Sequence, residues 1–174
     1  DPTFSDEGYA AEVNRAIKKS GAPSAFLCVG LATPPELIKY YRRAHIVAIA
    51  SYHEGYCLPV IEGLSSGCVV AAYDASNLRH IVNGFGRIVP VGDWKALSDA
   101  LADLSFAVAD RSTEPEERVL PLDCGRLSAK ELQIRCEAYL GQFSMEAYQQ
   151  ELQRIFKRLG VRMNEADEPR ADRR

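Results

Sequence analysis

The chain has 174 residues, of which 47% are hydrophobic and 26% are charged, and its formal net charge at pH 7 is -3. This composition suits a water-soluble protein with one core, and it excludes a surface basic enough to attract nucleic acid or anionic lipid over the whole molecule. The apolar runs stay below the roughly 18 residues that span a bilayer, and the first residues carry no signal-peptide pattern. We therefore expect a cytoplasmic domain without a transmembrane segment.

The first part of the sequence predicts a helix, a strand and a second helix. Residues 5–20 place apolar side chains on one helical face, with Ser5 as the cap and Gly21 as the stop. Residues 24–30 form an apolar run that ends in glycine, as a parallel strand covered on both faces does. Residues 33–44 then predict a helix with prolines in its first turn.

From residue 46 onward, short apolar runs alternate with helical patterns. The expected strands cover residues 46–50, 67–73 and 86–91, and the expected helices cover residues 58–66, 76–83 and 93–106. Crossovers of roughly ten to fifteen residues indicate βαβ units, so we predict an α/β fold with a Rossmann-like, doubly wound parallel sheet. Asp93 is the expected cap of the last helix, whose inward face includes Trp94 and Leu97.

The last third of the chain reads differently. Residues 107–127 are charged and contain proline, which we interpret as a surface loop. Ser128 and Glu131 form a capping-box pattern for one helix, and Ser144 is the expected cap of another. The predicted organisation is a partial domain at residues 1–106, the loop at 107–127, C-terminal helices of the same domain at 128–160 and a disordered tail at 161–174.

The five cysteines give no sign of a metal site. They form no Cys-x-x-Cys pair and have no histidine at metal-ligand spacing. Cys28 and Cys68 lie in apolar, strand-like runs, which favours small buried side chains over a redox or metal-binding role. We expect reduced thiols.

The segment 51–67 is the best candidate for a functional site, because it follows an expected strand and opens the next helix. In an open parallel sheet, ligands bind at the carboxyl ends of the strands, where helix N–H groups attract anions. Glu54 lies in the turn and Glu62 about one turn into the helix, with its side chain leaning back toward the helix start. Two carboxylates flanking an anion site suit a nucleotide sugar, because they would accept hydrogen bonds from its hydroxyls. The diphosphate would lie against the N–H groups of Tyr56, Cys57 and Leu58.

The run from Glu54 to Glu62, with seven residues between the two acids, resembles the signature of the C-terminal domain of retaining GT-B glycosyltransferases, in particular family 4. Similar segments continue in order from roughly Ser24 to Leu104, with a weaker echo at residues 143–159. The resemblance implies the C-terminal half of the GT-B fold. It also implies transfer of a sugar from a nucleotide diphosphate donor to an acceptor hydroxyl with retention, without a metal ion or other cofactor.

The resemblance also implies a role for each site residue. Glu54 would be the catalytic residue that accepts a donor-sugar hydroxyl, and Glu62 would bind the ribose. His53 would shape the loop beside Glu54 or, alternatively, act as a base. Tyr56 would use its backbone, although its ring could stack on the sugar or fill the crevice. The remaining implied contacts are backbone ones, to the diphosphate and sugar from Cys57 and Leu58 and to the base from Leu31 and Ala32.

The sequence departs from this family in three ways. Cys57 stands where many relatives have glycine, so we expect its φ to be negative. Residues 76–80 replace a Gly-rich, Glu-bearing segment. Nothing before Ser24 supplies the two strands and the basic pair with which such domains open, so the sheet looks truncated at its N-terminal strands.

Three functional interpretations follow. The first is the donor-binding part of a glycosyltransferase, which is inactive alone because it requires an N-terminal acceptor-binding domain or a partner chain. The second is a non-catalytic fragment or scaffold subunit that needs a partner to complete its sheet. The third is a nucleotide-sugar epimerase on the same fold.

Overall fold

The computed structural model describes residues 7–158. The chain divides into two compact units, Asp1–Arg43 and Ala44–Arg174. The expected cap at Ser5 and the expected tail at residues 161–174 lie outside the described residues.

The first unit consists of helix α1 (Glu7–Lys19), a 3-10 turn (Pro23–Ala25) and helix α2 (Pro34–Arg43). Both helices were expected from the apolar periodicity. Thr33 begins α2, since its N–H and its hydroxyl donate to the Glu36 carboxylate at 2.9 and 2.6 Å. None of the described residues 8–43 is buried.

The strand expected at residues 24–30 does not form. The segment is a 3-10 turn followed by irregular chain, and its apolar side chains are exposed. Leu27 is 76% exposed, and Cys28 is exposed rather than buried as expected. The physical reason is that a strand needs a neighbour for its backbone groups, and the described residues of this unit contain no other strand.

The second unit is built on a parallel sheet of three strands, β1 (Ile46–Ile49), β2 (Val69–Tyr73) and β3 (Gly86–Val89), in the order β1-β2-β3. All five residues of β2 are buried, so both faces of the sheet are covered. Gly86 makes the β2–β3 pairing possible, because a Cβ there would lie 2.3 Å from the Val70 carbonyl oxygen. The α/β class and the parallel sheet predicted from the sequence are confirmed.

In the described part of this unit, the sheet is accompanied by five α-helices: α3 (Leu58–Ser65), α4 (Leu78–Val82), α5 (Trp94–Ala109), α6 (Ala129–Leu140) and α7 (Met145–Arg158). Helix α3 contacts β1 and β2, whereas α5 contacts all three strands. The expected caps are present at α5, α6 and α7. Asp93 accepts from the Ala96 N–H, Ser128 forms a capping box with Glu131, and Ser144 accepts from the Ala147 N–H.

Trp94 is the exception on α5, because it was expected to face inward and is 74% exposed. It is the first residue of the helix, one turn ahead of Leu97, which is buried.

The prediction of a surface loop at residues 107–127 is also wrong in its second half. A β-hairpin begins there, formed by β4 (Val119–Leu122) and β5 (Gly125–Ser128). Leu120, Leu122 and Leu127 of this hairpin are buried in the core. In the sequence, the neighbouring charges and Pro121 conceal the alternation of buried and exposed residues in β4. A proline is tolerated in this strand because both strands of a two-stranded hairpin are edge strands.

The turn of this hairpin covers the free edge of β3. The Asp123 N–H donates to the Gly86 carbonyl at 2.9 Å, and the Asp123 carboxylate accepts from the Ile88 N–H at 2.8 Å. Arg87 lies 3.6 Å from the same carboxylate. One side chain and one amide therefore substitute for a further strand on this side, whereas β1 pairs with β2 alone among the described residues.

Candidate functional site

The loops that follow β1, β2 and β3 meet at one edge of the sheet, because parallel strands place their carboxyl ends together. Tyr52, in the loop after β1, packs edge-on against Tyr73 at the end of β2, with ring centroids 5.8 Å apart. Gly92, after β3, has a φ of +79°, and a Cβ at this position would lie 3.5 Å from the Tyr52 ring. The three loops are thus packed together.

A hydrogen bond also joins the first two loops. The His53 Nδ1 atom and the Ser76 hydroxyl oxygen are 3.0 Å apart. Ser76 has a left-handed backbone, with φ of +51°, which is uncommon outside glycine. The sequence predicted that His53 shapes the loop beside Glu54, and the bond to Ser76 is a contact through which it can do so. Ser76 was not predicted as its partner.

Cys57 makes the sharp turn between this loop and α3. Its φ is +46° and its ψ is +66°, so the expectation of a negative φ is wrong. A left-handed non-glycine residue costs about 1–2 kcal/mol. Burial offsets this cost, since the Cys57 side chain is 6% exposed and belongs to the core, and the Cys57 carbonyl accepts from the Val60 N–H.

Glu54 faces the thiol of Cys57. Burial raises the pKa of the Cys57 thiol, and the negative charge of the Glu54 carboxylate raises it further. The thiol therefore stays protonated at neutral pH and can donate to the carboxylate. Glu54 is half-buried, and this contact restricts its side chain near the start of α3.

Glu62 lies in the second turn of α3, as the sequence predicted, and is half-buried. In the first turn of α3, Pro59 has no N–H and the Val60 N–H donates to the Cys57 carbonyl, so the Leu58 N–H is the one left without an intrahelical partner. Ala32 is half-buried ahead of α2 and belongs to the first unit, so its contact with a base stays a prediction.

The ring of Tyr56 points toward the C-terminal helices. It packs edge-on against Phe143, with centroids 5.9 Å apart; Phe143 packs against Tyr139, and Tyr139 against Phe85. The Tyr139 hydroxyl donates to the Ile81 carbonyl at 2.8 Å. Burial raises the pKa of the Tyr139 hydroxyl, and the nearby Tyr56 and Cys136 side chains raise it further. Sequence reasoning missed this aromatic chain because Tyr56 and Phe85 lie more than 50 residues from Tyr139 and Phe143 in the sequence. The only signal was the family echo that begins at Phe143.

The described part of the chain holds no cluster of three His, Cys, Asp or Glu side chains that could bind a metal ion. None of its helices combines the length and apolarity needed to cross a membrane.

Comparison with known proteins identifies the family. Residues 6–106, more than half of the chain, match the family described as glycosyl transferases group 1. The chain belongs to this family. The match covers the whole parallel sheet and the Glu54–Glu62 segment, so the glycosyltransferase family predicted from that segment is confirmed at the level of group 1.

Two individual proteins are similar to this glycosyltransferase chain. A GDP-mannose-dependent alpha-mannosyltransferase of Mycobacterium tuberculosis is 33% identical over 95 residues, which cover 53% of this chain and 25% of that protein. The structure of sucrose-phosphate synthase from Thermosynechococcus elongatus superposes with a TM-score of 0.63 at 24% identity, covering 91% of this chain and 36% of the other. The second likeness shows the GT-B fold, and the chain spans well under half the length of either protein.

Proposed function

We propose that this chain binds a nucleotide diphosphate sugar at the turn between β1 and α3 and holds it for a sugar transfer with retention. The observation that carries the proposal is the turn at Cys57. Its left-handed backbone opens directly into α3, and successive N–H groups in such turns form anion-binding concavities. A diphosphate at the start of α3 would also gain from the helix dipole.

Each acid keeps the role that the sequence predicted. Glu54, restricted by its contact with Cys57, accepts a hydroxyl of the donor sugar, and Glu62 accepts the ribose hydroxyls. Hydrogen bonds to carboxylates are about twice as strong as neutral ones, so they fix the donor around the diphosphate. The N–H groups of Tyr56, Cys57 and Leu58 and the dipole of α3 take up the charge of the departing diphosphate, so the reaction needs no metal.

The acceptor is held elsewhere in the proposal, by an N-terminal acceptor-binding domain or a partner chain, and the reaction takes place in the cytoplasm. The 174-residue chain alone is therefore inactive, and sugar transfer by the purified chain would contradict this part. Because the mannosyltransferase relative is named for its use of GDP-mannose, this donor is the first to test.

Calorimetric titration with UDP, GDP and ADP and one sugar conjugate of each tests the donor site. We expect selective binding of one nucleotide. Glu62→Ala should weaken this binding by about tenfold or more, because hydrogen bonds to charged groups contribute about 1.5–3 kcal/mol. Glu116→Ala, in the exposed 3-10 turn Pro115–Glu117, is the matched control. Equal affinity in all three proteins would contradict the proposal.

A second candidate function, a non-catalytic scaffold subunit, is favoured by the outer side of β1, which pairs with no strand of residues 7–158, and by the exposed apolar side chains of residues 26–31. Unpaired strand edges promote pairing with other chains. Sedimentation of the purified chain as a concentration-dependent oligomer, together with no nucleotide binding, would support the scaffold; a monomer that binds one nucleotide would exclude it.

A further inference from the structure

The imidazole ring of His53, in the loop after β1, is held by a residue of the loop after β2. Its Nδ1 atom lies 3.0 Å from the Ser76 hydroxyl oxygen. This contact occupies one ring nitrogen and leaves Nε2, on the other side of the ring, without a hydrogen bond to any of the residues 7–158. Because His53 is exposed, Nε2 is available to a ligand at the carboxyl edge of the sheet.

Ser76 is a well-fixed partner for this ring. It lies between the buried residues Ala75 and Leu78, and the Leu78 N–H donates to the Ala75 carbonyl at 3.1 Å. Its backbone is left-handed, with φ of +51°, which is strained in a residue that carries a Cβ. Such a conformation persists only where the surrounding structure holds it. The Ser76 hydroxyl therefore has a defined position relative to the core.

The backbone on both sides of His53 is restricted as well. Before it, the Tyr52 ring packs edge-on against the buried Tyr73, with centroids 5.8 Å apart. After it, the Glu54 carboxylate faces the buried thiol of Cys57, at the start of α3. The imidazole is thus fixed at both ends, and it belongs to the same short loop as the proposed diphosphate site.

A hydroxyl can both donate and accept, and this property determines what Nε2 offers to a ligand. Against a neutral ring, the Ser76 hydroxyl can donate to Nδ1, and the ring proton is then on Nε2. Against a charged ring, the hydroxyl accepts from the Nδ1 N–H, and Nε2 again carries a proton. Only a neutral ring with its proton on Nδ1 leaves Nε2 bare. A diphosphate presents acceptor oxygens, so its binding selects the two arrangements in which Nε2 donates.

We propose that His53 donates a hydrogen bond from Nε2 to the diphosphate of the nucleotide sugar, and that Ser76 is the residue that positions the ring for it. This inference rests on the proposed function and adds two residues to its site. His53 contacts the ligand directly. Ser76 does not touch the ligand and acts through the His53 ring, which links the loop after β2 to binding at the loop after β1.

A double-mutant cycle on the 174-residue chain tests this relation, with UDP, GDP and ADP as calorimetric probes. His53→Ala should weaken binding of the preferred nucleoside diphosphate by about tenfold, and Ser76→Ala by about three- to tenfold. In a chain that already carries His53→Ala, Ser76→Ala should have no further effect, because its ring partner is gone. Ser112→Ala is the matched control, since it removes an exposed hydroxyl that donates to Asp110, and it should change affinity by less than about twofold.

Ser76→Gly separates the hydroxyl from the backbone. Glycine adopts a positive φ readily but has no hydroxyl, so Ser76→Gly should weaken binding as much as Ser76→Ala does. A role in loop shape alone would leave Ser76→Gly at the affinity of the unaltered chain. Circular dichroism checks that each variant is folded.

Two further variants separate the ring nitrogens of His53. His53→Gln carries an amide N–H about as far along the side chain as Nε2, whereas His53→Asn reaches only as far as Nδ1. We therefore expect His53→Gln to keep more affinity than His53→Asn. The reverse order would overturn the assignment of Nε2 as the binding atom.

The outcomes distinguish this inference from the donor site itself. Diphosphate binding that Ser76→Ala weakens only when His53 is present supports the inference. Binding that neither His53→Ala nor Ser76→Ala changes overturns it and leaves the donor site intact. An equal loss from Ser76→Ala with and without His53 also overturns it, because Ser76 would then act through the loop and not through the ring. A folded, unaltered chain that binds none of the three probes contradicts the donor site, and this inference with it.

Discussion

The two units of the chain use the same local signals and reach different degrees of burial. Each has a helix that begins with a hydroxyl residue and a glutamate three positions later, Thr33 with Glu36 in the first unit and Ser128 with Glu131 in the second. Each also has an apolar, strand-like run. In the second unit this run is β2, buried at every position, whereas in the first unit residues 24–30 form no strand and stay exposed. Local sequence is sufficient for the caps, but a strand requires neighbours.

The largest difference between the units should be seen on truncating a leucine in each. Leu104 is fully buried on α5, so Leu104→Ala should lower the free energy of unfolding by about 2–5 kcal/mol. Leu27 is 76% exposed, and Leu27→Ala should change the free energy of unfolding by no more than about 0.5 kcal/mol. Urea denaturation followed by circular dichroism measures both. Equal losses would mean that residues 24–30 are buried in solution, and the contrast between the units would disappear.

A smaller effect is expected at the covered edge of the sheet. Asp123→Ala removes the acceptor of the Ile88 N–H and should cost about 1–3 kcal/mol, because it leaves an edge amide of β3 without its partner. Asp103→Ala is the control, since Asp103 lies 3.7 Å from the same Arg87 but is 60% exposed. We expect the control to lose less than about 1 kcal/mol. Equal stability of the two variants would mean that the Asp123 carboxylate stabilises the fold through its ion pair with Arg87 and not through the Ile88 N–H.

The smallest effects concern the capping box of α6 and the Thr33–Glu36 contacts at the start of α2, and they depend on pH. Hydrogen bonds from the Ser128 N–H and hydroxyl lower the pKa of Glu131 from its ordinary value, and hydrogen bonds from the Thr33 hydroxyl and N–H lower the pKa of Glu36. A lowered folded-state pKa contributes stability above the unfolded-state pKa and loses it as pH falls through the folded one. Glu131→Gln should therefore reduce the difference in global stability between pH 7 and pH 3.

Glu36→Gln serves as the comparison for this pH experiment. Because α2 has no buried residue, the loss should be seen as faster amide exchange within α2 and not in global unfolding. A global loss as large as that of Glu131→Gln would show that α2 unfolds together with the sheet.

The sequence was sufficient for features that depend on near neighbours. The capped helices, the three strands of the parallel sheet and the position of Glu54 and Glu62 around the start of α3 all followed from spacing and capping residues. The family of the chain followed from the same segment.

Features that depend on distant partners were missed. The hairpin is stabilised by burying Leu120 and Leu127 and by contacts of Asp123 with β3, none of which is local. The left-handed backbone of Cys57 is held by core packing, which no neighbouring residue indicates. The rings of Tyr56 and Phe143 meet only because α6 packs against α3.

The cysteines of this chain can report on opening of the second unit, because some of their thiols are buried and others are exposed. Cys57, Cys68 and Cys136 are buried in the second unit, and burial raises the pKa of all three thiols, that of Cys136 to about 12. Cys28 and Cys124 are exposed, one in each unit. Because the thiolate is the nucleophile, an alkylating reagent reacts first with the two exposed thiols. The later modification of the other three then records how often the second unit opens, without any engineered label.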